Sequence, residues 1–292
     1  MLIIIGAIAV LGSVVTGYLW EGGKLPALIQ PAELLIIGGA AIGSLVISTP
    51  TKVLKGIAAQ LKGAFGPGTT KEQYVTLLSM LYQLFKVIQQ AGVMALESHF
   101  EKPHNSPIMS KFPDFLARHE ALDFLADSVK VIIVGGISPH DLEGLMEEDC
   151  EIHHQEAMKP SATLTRIGDA LPGLGIVAAV LGVVITMAAI DGPPAEIGEK
   201  VGAALVGTFL GILLCYGFVG PLGAKLEFFV NDEGHYLQCI KTGVLAVYKG
   251  FPPAIAVEFA RRVIPGDVRP SFDETEQACK ARPEKEAASA AA

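Results

Sequence analysis

Four stretches of the chain are apolar and carry no charged side chain over about the length that a membrane helix needs. About 20 apolar residues cross the hydrocarbon of a bilayer, and a segment in lipid must satisfy its backbone polar groups internally. The stretches are Leu2–Trp20, Leu34–Thr51, Ala170–Ile190 and Val201–Ala224. The pattern therefore predicts an all-α integral membrane protein with four transmembrane helices.

The chain between the second and third stretches is polar, and its apolar positions recur mostly at helical spacing. Prolines at 103, 107 and 113 interrupt this pattern. The predicted helices outside the membrane cover residues 71–101, 115–135, 138–158 and 225–249. The chain from Pro270 onward is polar and then Ala-rich, which predicts a disordered tail.

Basic residues beside the apolar stretches indicate the orientation. The two short loops carry only Lys24 and Lys200, whereas the opposite ends carry Lys52, Lys55, Lys62, Lys159, Arg166, Lys225 and Lys241. Both termini and the large loop are therefore expected in the cytoplasm. The expected domains are a first helix pair with a short periplasmic loop (1–51), a large helical cytoplasmic domain (52–168), a second helix pair (169–225), and a cytoplasmic C-terminal helix with the tail (226–292).

Composition narrows the function classes. Apolar residues make up 51% of the chain and charged residues only 18%, and the net charge of −8 argues against nucleic-acid binding. The cysteines form no C-x-x-C pair. A single E-x-x-H spacing at Glu151–His154 does not predict a metal site, and nucleotide-binding and nucleophile-elbow motifs are absent from the sequence. We expect neither an enzyme nor a cofactor.

The four stretches contain no Asp, Glu, Lys, Arg or His. An ion path through a membrane usually needs an ionisable group at depth. Either the protein moves no ions, or a partner supplies the carboxylate. Glu33 lies at the outer edge of the second stretch, where solvation at the interface explains it.

The third and fourth stretches carry small residues at helical spacing. Gly175, Ala179 and Gly182 form one stripe, and Ala203, Gly207 and Gly211 form another. Small residues let helices approach closely. The stripes predict either packing within one subunit or a surface that receives another subunit's helix.

Three further residues of these stretches each allow two interpretations. The hydroxyl of Thr208 either bonds to the carbonyl four residues back or offers a polar group to an ion path. Pro172 and Pro221 each remove a backbone donor. They mark either ordinary helix boundaries or a hinge.

Several segments resemble one known family, the A subunits of the bacterial flagellar motor stator (MotA), which is related to ExbB and TolQ. The segments are QPAE at 30–33, DALPGLGIVAAV at 169–180, VGTFLGILLCYGFVGPL at 206–222, PPAIAVEFARR at 252–262 and RPSF at 269–272. The resemblance covers nearly the whole chain except the tail. It implies an inner-membrane protein of several spans.

The resemblance also implies partners and an ion. A pentameric ring of A subunits would surround two helices of a MotB-like B subunit, which carries the membrane carboxylate and a peptidoglycan anchor. Ion passage would turn the ring against the rotor's switch ring. Pro172 and Pro221 match functional prolines of the family, and Thr208 matches its channel threonine. Ala179 replaces a threonine of sodium-driven relatives and provides no oxygen ligand, which favours H⁺ over Na⁺.

One part of the family pattern differs. Glu97 matches a rotor-facing charge whose usual companion is an arginine eight positions earlier, where this chain has Gln89. Lys86, one helical turn away, is the candidate substitute. The alternatives to a stator are an ExbB/TolQ-like energiser of outer-membrane processes and a membrane scaffold that passes no ions.

Overall fold

A computed structural model describes residues 2–66, 68–188 and 190–280, and the regular elements within these ranges are helical. The α-helices are α1 (Leu2–Trp20), α2 (Leu25–Leu28), α3 (Pro31–Ser48), α4 (Thr51–Ala64), α5 (Lys71–Ala91), α6 (Glu97–Glu101), α7 (Pro113–Leu116), α8 (His119–Val134), α9 (Pro139–Met187), α10 (Pro194–Leu214), α11 (Gly220–Tyr248), α12 (Pro253–Arg262) and α13 (Phe272–Lys280). Short 3₁₀ turns cover Val93–Leu96, Pro103–Asn105 and Met109–Lys111, and a π-helical turn covers Cys215–Val219.

Four helical segments in the described part of the chain are long and apolar enough to cross a membrane. They are Leu2–Trp20, Leu25–Ser48, Pro139–Met187 and Pro194–Tyr248. The predicted fold class, an all-α integral membrane protein with four transmembrane helices and a large helical domain between the second and third, is confirmed. The third and fourth spans are parts of longer helices.

The predicted helix end at Met158 is wrong, because α9 runs without a break from Pro139 to Met187, 49 residues in all, and includes Pro160 and Pro172. Pro160 removes one backbone donor. Side chains join α9 to neighbouring helices beside Pro160: Gln60 Nε2 of α4 donates to the carbonyl of Ala157 at 2.7 Å, and Ser161 Oγ donates to the carbonyl of Gly223 of α11 at 2.9 Å. The start of α9 follows the prediction, with Ser138 Oγ accepting from the backbone N–H of Asp141 at 3.1 Å.

The chain divides into two units, of which the first comprises residues 1–66 and 157–229. We call it the membrane unit. Helix α1 has no buried residue, as expected of a helix that faces lipid. Helix α3 packs on α10, and α4 packs against the other helices through Gly56, which faces Pro160, and Gly63, which faces Phe229. The predicted boundary at 51/52 therefore separates α4 from helices with which it packs.

The second unit comprises residues 67–156 and 230–292, and we call it the polar unit. Its core consists mainly of buried apolar side chains from α5, the short turns and helices that follow it, α8, α12 and the parts of α9 and α11 in this unit. The predicted division at 225/226 separates the C-terminal residues from the loop, whereas in the structure residues 230–280 belong to the same unit as residues 68–156.

Helix α5 is shorter than predicted. A capping box between Thr70 and Gln73 starts it, and Gly92, with φ of +81°, ends it. Residues 93–101 therefore form a separate 3₁₀ turn and α6 rather than a continuation of α5.

The disordered tail predicted from Pro270 is wrong for its first part, which forms α13 against α5. Ser79 Oγ donates to the carbonyl of Ala278 at 3.1 Å, and Lys71 Nζ lies 2.7 Å from Glu274 Oε1. The sequence carried a signal for this helix: the N–H of Glu274 donates to Ser271 Oγ at 3.1 Å and the N–H of Ser271 donates to Glu274 Oε2 at 2.6 Å, a capping box that starts α13. The remainder of the predicted tail, 281–292, lies outside the described residues.

Candidate functional site: the helix pair of the third and fourth spans

Helices α9 and α10 of the membrane unit approach each other through glycines. A Cβ built on Gly211 would lie 2.6 Å from the carbonyl oxygen of Leu171 and 2.9 Å from Cα of Gly175. A Cβ built on Gly175 would lie 2.9 Å from the carbonyl oxygen of Gly207. The atoms that these two Cβ atoms would meet belong to the backbone and cannot rotate away. A side chain at either position would therefore push the helices apart.

The small residues predicted for partner packing are used within the chain. A Cβ on Gly182 would lie 2.7 Å from Cβ of Ala204. Ala204 is buried, whereas Ala203, the residue predicted from the sequence, is only half-buried. Gly175, Gly182, Gly207 and Gly211 thus all lie in contacts within the chain, and their predicted packing against a partner helix stays a prediction. Spacings of three and four residues at 204, 207 and 211 fit a helix face better than two spacings of four.

Thr208 and Ala179 lie beside this contact. Both are half-buried, each next along its helix to a buried contact residue, Gly207 and Ala178 respectively. Thr186 Oγ1 donates to the carbonyl of Gly182 at 2.8 Å, four residues back. The Thr208 hydroxyl makes no such bond within the described ranges, so it can serve a group outside this chain.

The two predicted prolines lie at interruptions of regular helix geometry. Pro172 is inside α9 and half-buried. Pro221 is the second residue of α11 and exposed, directly after the π-helical turn. In that turn the N–H of Gly220 donates to the carbonyl of Cys215, five residues back. Such turns weaken the backbone ladder and occur often at functional sites.

Glu33 is a residue of this site that the sequence reasoning misjudged. Helix α3 starts at Pro31, three residues before the predicted start of the second span, so Glu33 is within its first turn. Its side chain is 7% exposed rather than solvated at the interface. Proline favours the first helical position, and Pro31 was therefore the signal that could have extended the span to include Glu33.

The residues predicted to face a rotor lie on the polar unit. Lys86 and Gln89 on α5, and Glu97 at the start of α6, are all exposed. Lys86 Nζ lies 5.3 Å from the ring centroid of Tyr82, within the range of a cation–π contact.

Buried neighbours hold the short helix that presents Glu97. Leu96 and Phe100 are buried in the core, and buried His99 pairs its Nδ1 with Ser106 Oγ at 2.7 Å. Ser106 Oγ also accepts from the N–H of Met109 at 3.1 Å. Burial lowers the pKa of His99, which favours the neutral ring. Glu97 is thus an exposed acid on an anchored turn.

Comparisons with known proteins agree with the fold and the helix pair. A family model described as "Motility protein A N-terminal" matches residues 4–92, and one described as "MotA/TolQ/ExbB proton channel family" matches residues 117–238. Together they include most of the spanning helices and the residues of the α9–α10 contact.

Relatives match along nearly the whole chain. Motility protein A of Escherichia coli (strain K12) is 43% identical over 282 residues, 96% of each protein. Chemotaxis protein LafT of Vibrio parahaemolyticus is 40% identical and covers 94% of this chain and 96% of its own length. The structure of the flagellar MotAB stator complex from Bacillus subtilis matches with a TM-score of 0.69 at 25% identity, covering 91% of this chain and 96% of that one.

The fold and the site define a class: a four-span membrane protein whose third and fourth spans form a closely packed, glycine-rich pair. The identity and coverage of the relatives narrow that class. The chain belongs to the motility protein A family.

Proposed function

We propose that this chain is the A subunit of a flagellar motor stator, which with a B subunit forms a proton channel that couples the proton motive force to torque on the rotor. The observation that carries the proposal is the near full-length match to Motility protein A. That match includes residues 4–92, which lie outside the segment matched by the broader MotA/TolQ/ExbB model.

The proposed assembly is a pentameric ring in the bacterial inner membrane, with both termini and the polar unit in the cytoplasm. The basic residues beside the spans support this orientation. A solved relative is described as a MotAB complex, which supports a MotB-like partner for this chain. The partner would bring the membrane carboxylate and the peptidoglycan anchor.

The proposed proton route passes the half-buried face beside the glycine contact, with Thr208 and Ala179 toward the partner's carboxylate. The free hydroxyl of Thr208 can bond to that group or to water beside it. Ala179 provides no oxygen for a cation that sheds its water, which supports H⁺ as the ion. The small residues of the pair then act by holding α9 and α10 in register, not by receiving the partner helix.

The proposed coupling element is the set of backbone interruptions at Pro172 and at the π-helical turn before Pro221. A helix that lacks backbone bonds bends there at less cost than elsewhere. A change of charge on the partner carboxylate would bend these segments. The exposed surface with Lys86, Gln89 and Glu97 would pass the motion to the rotor.

Replacement of Pro172 tests this proposal. We expect Pro172→Ala to abolish motility, because it restores the backbone donor and makes the helix harder to bend, while the complex with the B partner still assembles. Swimming assays and co-purification of the two subunits measure both effects. Pro194→Ala, at the first residue of α10 where proline costs no helix bond, is the matched control. Normal swimming of the Pro172→Ala strain would contradict the proposal.

The runner-up is an ExbB/TolQ-like energiser of outer-membrane processes, which the shared family model supports. A gene for a peptidoglycan-binding B protein beside this one favours the stator, and a gene for a partner with a receptor-contacting periplasmic domain favours the energiser. A scaffold that passes no ions predicts no cytoplasmic acidification on co-expression with a B partner whose periplasmic plug is deleted.

A further inference from the structure

Glu33 is a buried carboxylic acid in the membrane unit, and one of its oxygens has no hydrogen-bond partner. The residue is 7% exposed, and Oε2 is inaccessible and unpartnered among the described residues. An unpaired ionised carboxylate in such surroundings is costly, and such groups usually neutralise by taking a proton. Ionisable residues kept within a span are typical of proton relays.

The carboxyl of Glu33 occupies space that two glycines leave between α9 and α10. A Cβ built on Gly207 would lie 2.5 Å from Glu33 Oε2 and 3.2 Å from Cβ of Ala178. A Cβ built on Gly182 would lie 3.6 Å from Glu33 Oε1. An alanine at position 207 would therefore displace the carboxyl. Gly207 leaves room both for the Glu33 carboxyl and for the close approach of α9.

The depth of this carboxyl coincides with that of the proposed proton route. A Cβ built on Gly207, the residue directly before Thr208, would meet this carboxyl, and the same built Cβ would lie 3.2 Å from Cβ of Ala178, the residue directly before Ala179. One residue corresponds to about 1.5 Å of rise along a helix. The carboxyl of Glu33 is thus beside the residue that precedes Thr208, and Ala178 lies on the other side of the same contact.

Few other ionisable groups face this site. Glu33 is the only ionisable side chain of α3, and the part of α9 from 170 to 187 has none. Helix α10 carries Glu196, Glu199 and Lys200 in its first two turns, and Lys200 Nζ lies 2.9 Å from Glu196 Oε1. The protonation of Glu33 therefore depends on solvent and on any partner group that approaches the helix pair.

We propose that Glu33 is a proton-binding residue of this chain, a relay between the outer solution and the partner's carboxylate. The proposal rests on the proposed function. In the first step the Glu33 carboxylate takes a proton from hydronium, leaving water. In the second, neutral Glu33 gives that proton to the partner's carboxylate directly or through water and becomes the carboxylate again. One proton moves per cycle, and no electron is transferred.

The test compares Glu33→Gln with Glu33→Asp in cells that contain the full chain and a B partner without its plug. We expect Glu33→Gln to assemble at the parental level and to slow cytoplasmic acidification by at least about tenfold, since positioned proton-transfer groups contribute roughly 10²–10⁴-fold. Glu33→Asp should conduct, with its half-maximal external pH displaced. Glu196→Gln, the same change at an exposed acid of α10, should conduct like the parent.

Each outcome decides between defined alternatives. Parental conduction and an unchanged pH profile in Glu33→Gln would reduce Glu33 to a packing residue and overturn the relay. If Glu33→Gln fails to assemble, Glu33→Asp decides: a displaced pH midpoint supports the relay, and an unchanged midpoint overturns it. Absence of acidification with the parental chain would instead overturn the proposed function itself.

Discussion

At the scale of single residues, one exposed lysine of α5 is the candidate for the charge that faces the rotor. The family resemblance implies a rotor-facing arginine at position 89, where this chain has Gln89, and the exposed cation nearest in sequence on α5 is Lys86. Its contact with Tyr82 restricts the ammonium to one side of the helix without burying it. Exposed charges of this kind contribute little to stability, so a change there tests an interface rather than the fold.

We expect Lys86→Glu to reduce motility more than Lys62→Glu, because only Lys86 lies on the proposed rotor-facing surface. Lys62 is an exposed lysine of α4 in the membrane unit, so the two variants change the net charge equally. Swimming speed and the amount of protein in the membrane measure the effect. Lys86→Arg should swim normally. Equal effects of the two charge reversals would show that Lys86 does not replace the missing arginine.

At the scale of elements, the glycine contact holds α9 and α10 together. A Cβ on Gly211 meets two backbone atoms, whereas a Cβ on Gly202 of the same helix meets nothing within 4 Å. We expect Gly211→Ala to destabilise the protein by about 1–3 kcal/mol through overpacking. Gly202→Ala should be neutral or stabilising by up to about 1 kcal/mol, because alanine favours helix. Thermal unfolding of the detergent-purified complex compares the two. A Gly211→Ala protein as stable as the parent would contradict this contact.

At the scale of the whole molecule, the ion that drives the motor depends on which groups the assembled channel offers. In the proposed channel this chain would contribute Ala179, which has no oxygen ligand for sodium, and Glu33 and Thr208, which could hold or pass protons. We expect swimming speed to follow external pH and to stay constant when potassium replaces sodium at fixed ionic strength. A speed that rises with sodium at fixed pH would contradict proton coupling.

The sequence by itself determined the membrane fold, because long charge-free runs in lipid have one solution for their backbone polar groups. It also located Thr208, Pro172 and Pro221 near the ends and faces of those helices. The sequence did not determine which helices are continuous or which helices pack on each other. Helical periodicity did not reveal that α9 is continuous through Pro160, and the capping box of Ser271 and Glu274 does not reveal that residues 272–280 pack on α5.

Only the tertiary structure decided the role of the small residues and of Glu33. Periodicity finds a stripe of glycines but not the surface that it meets, and here that surface is the adjacent span of the same chain. An acid at the edge of an apolar run is solvated or buried according to whether neighbouring helices leave space for it. Gly182 and Gly207 leave that space, and the carboxyl of Glu33 is therefore inside the helix bundle.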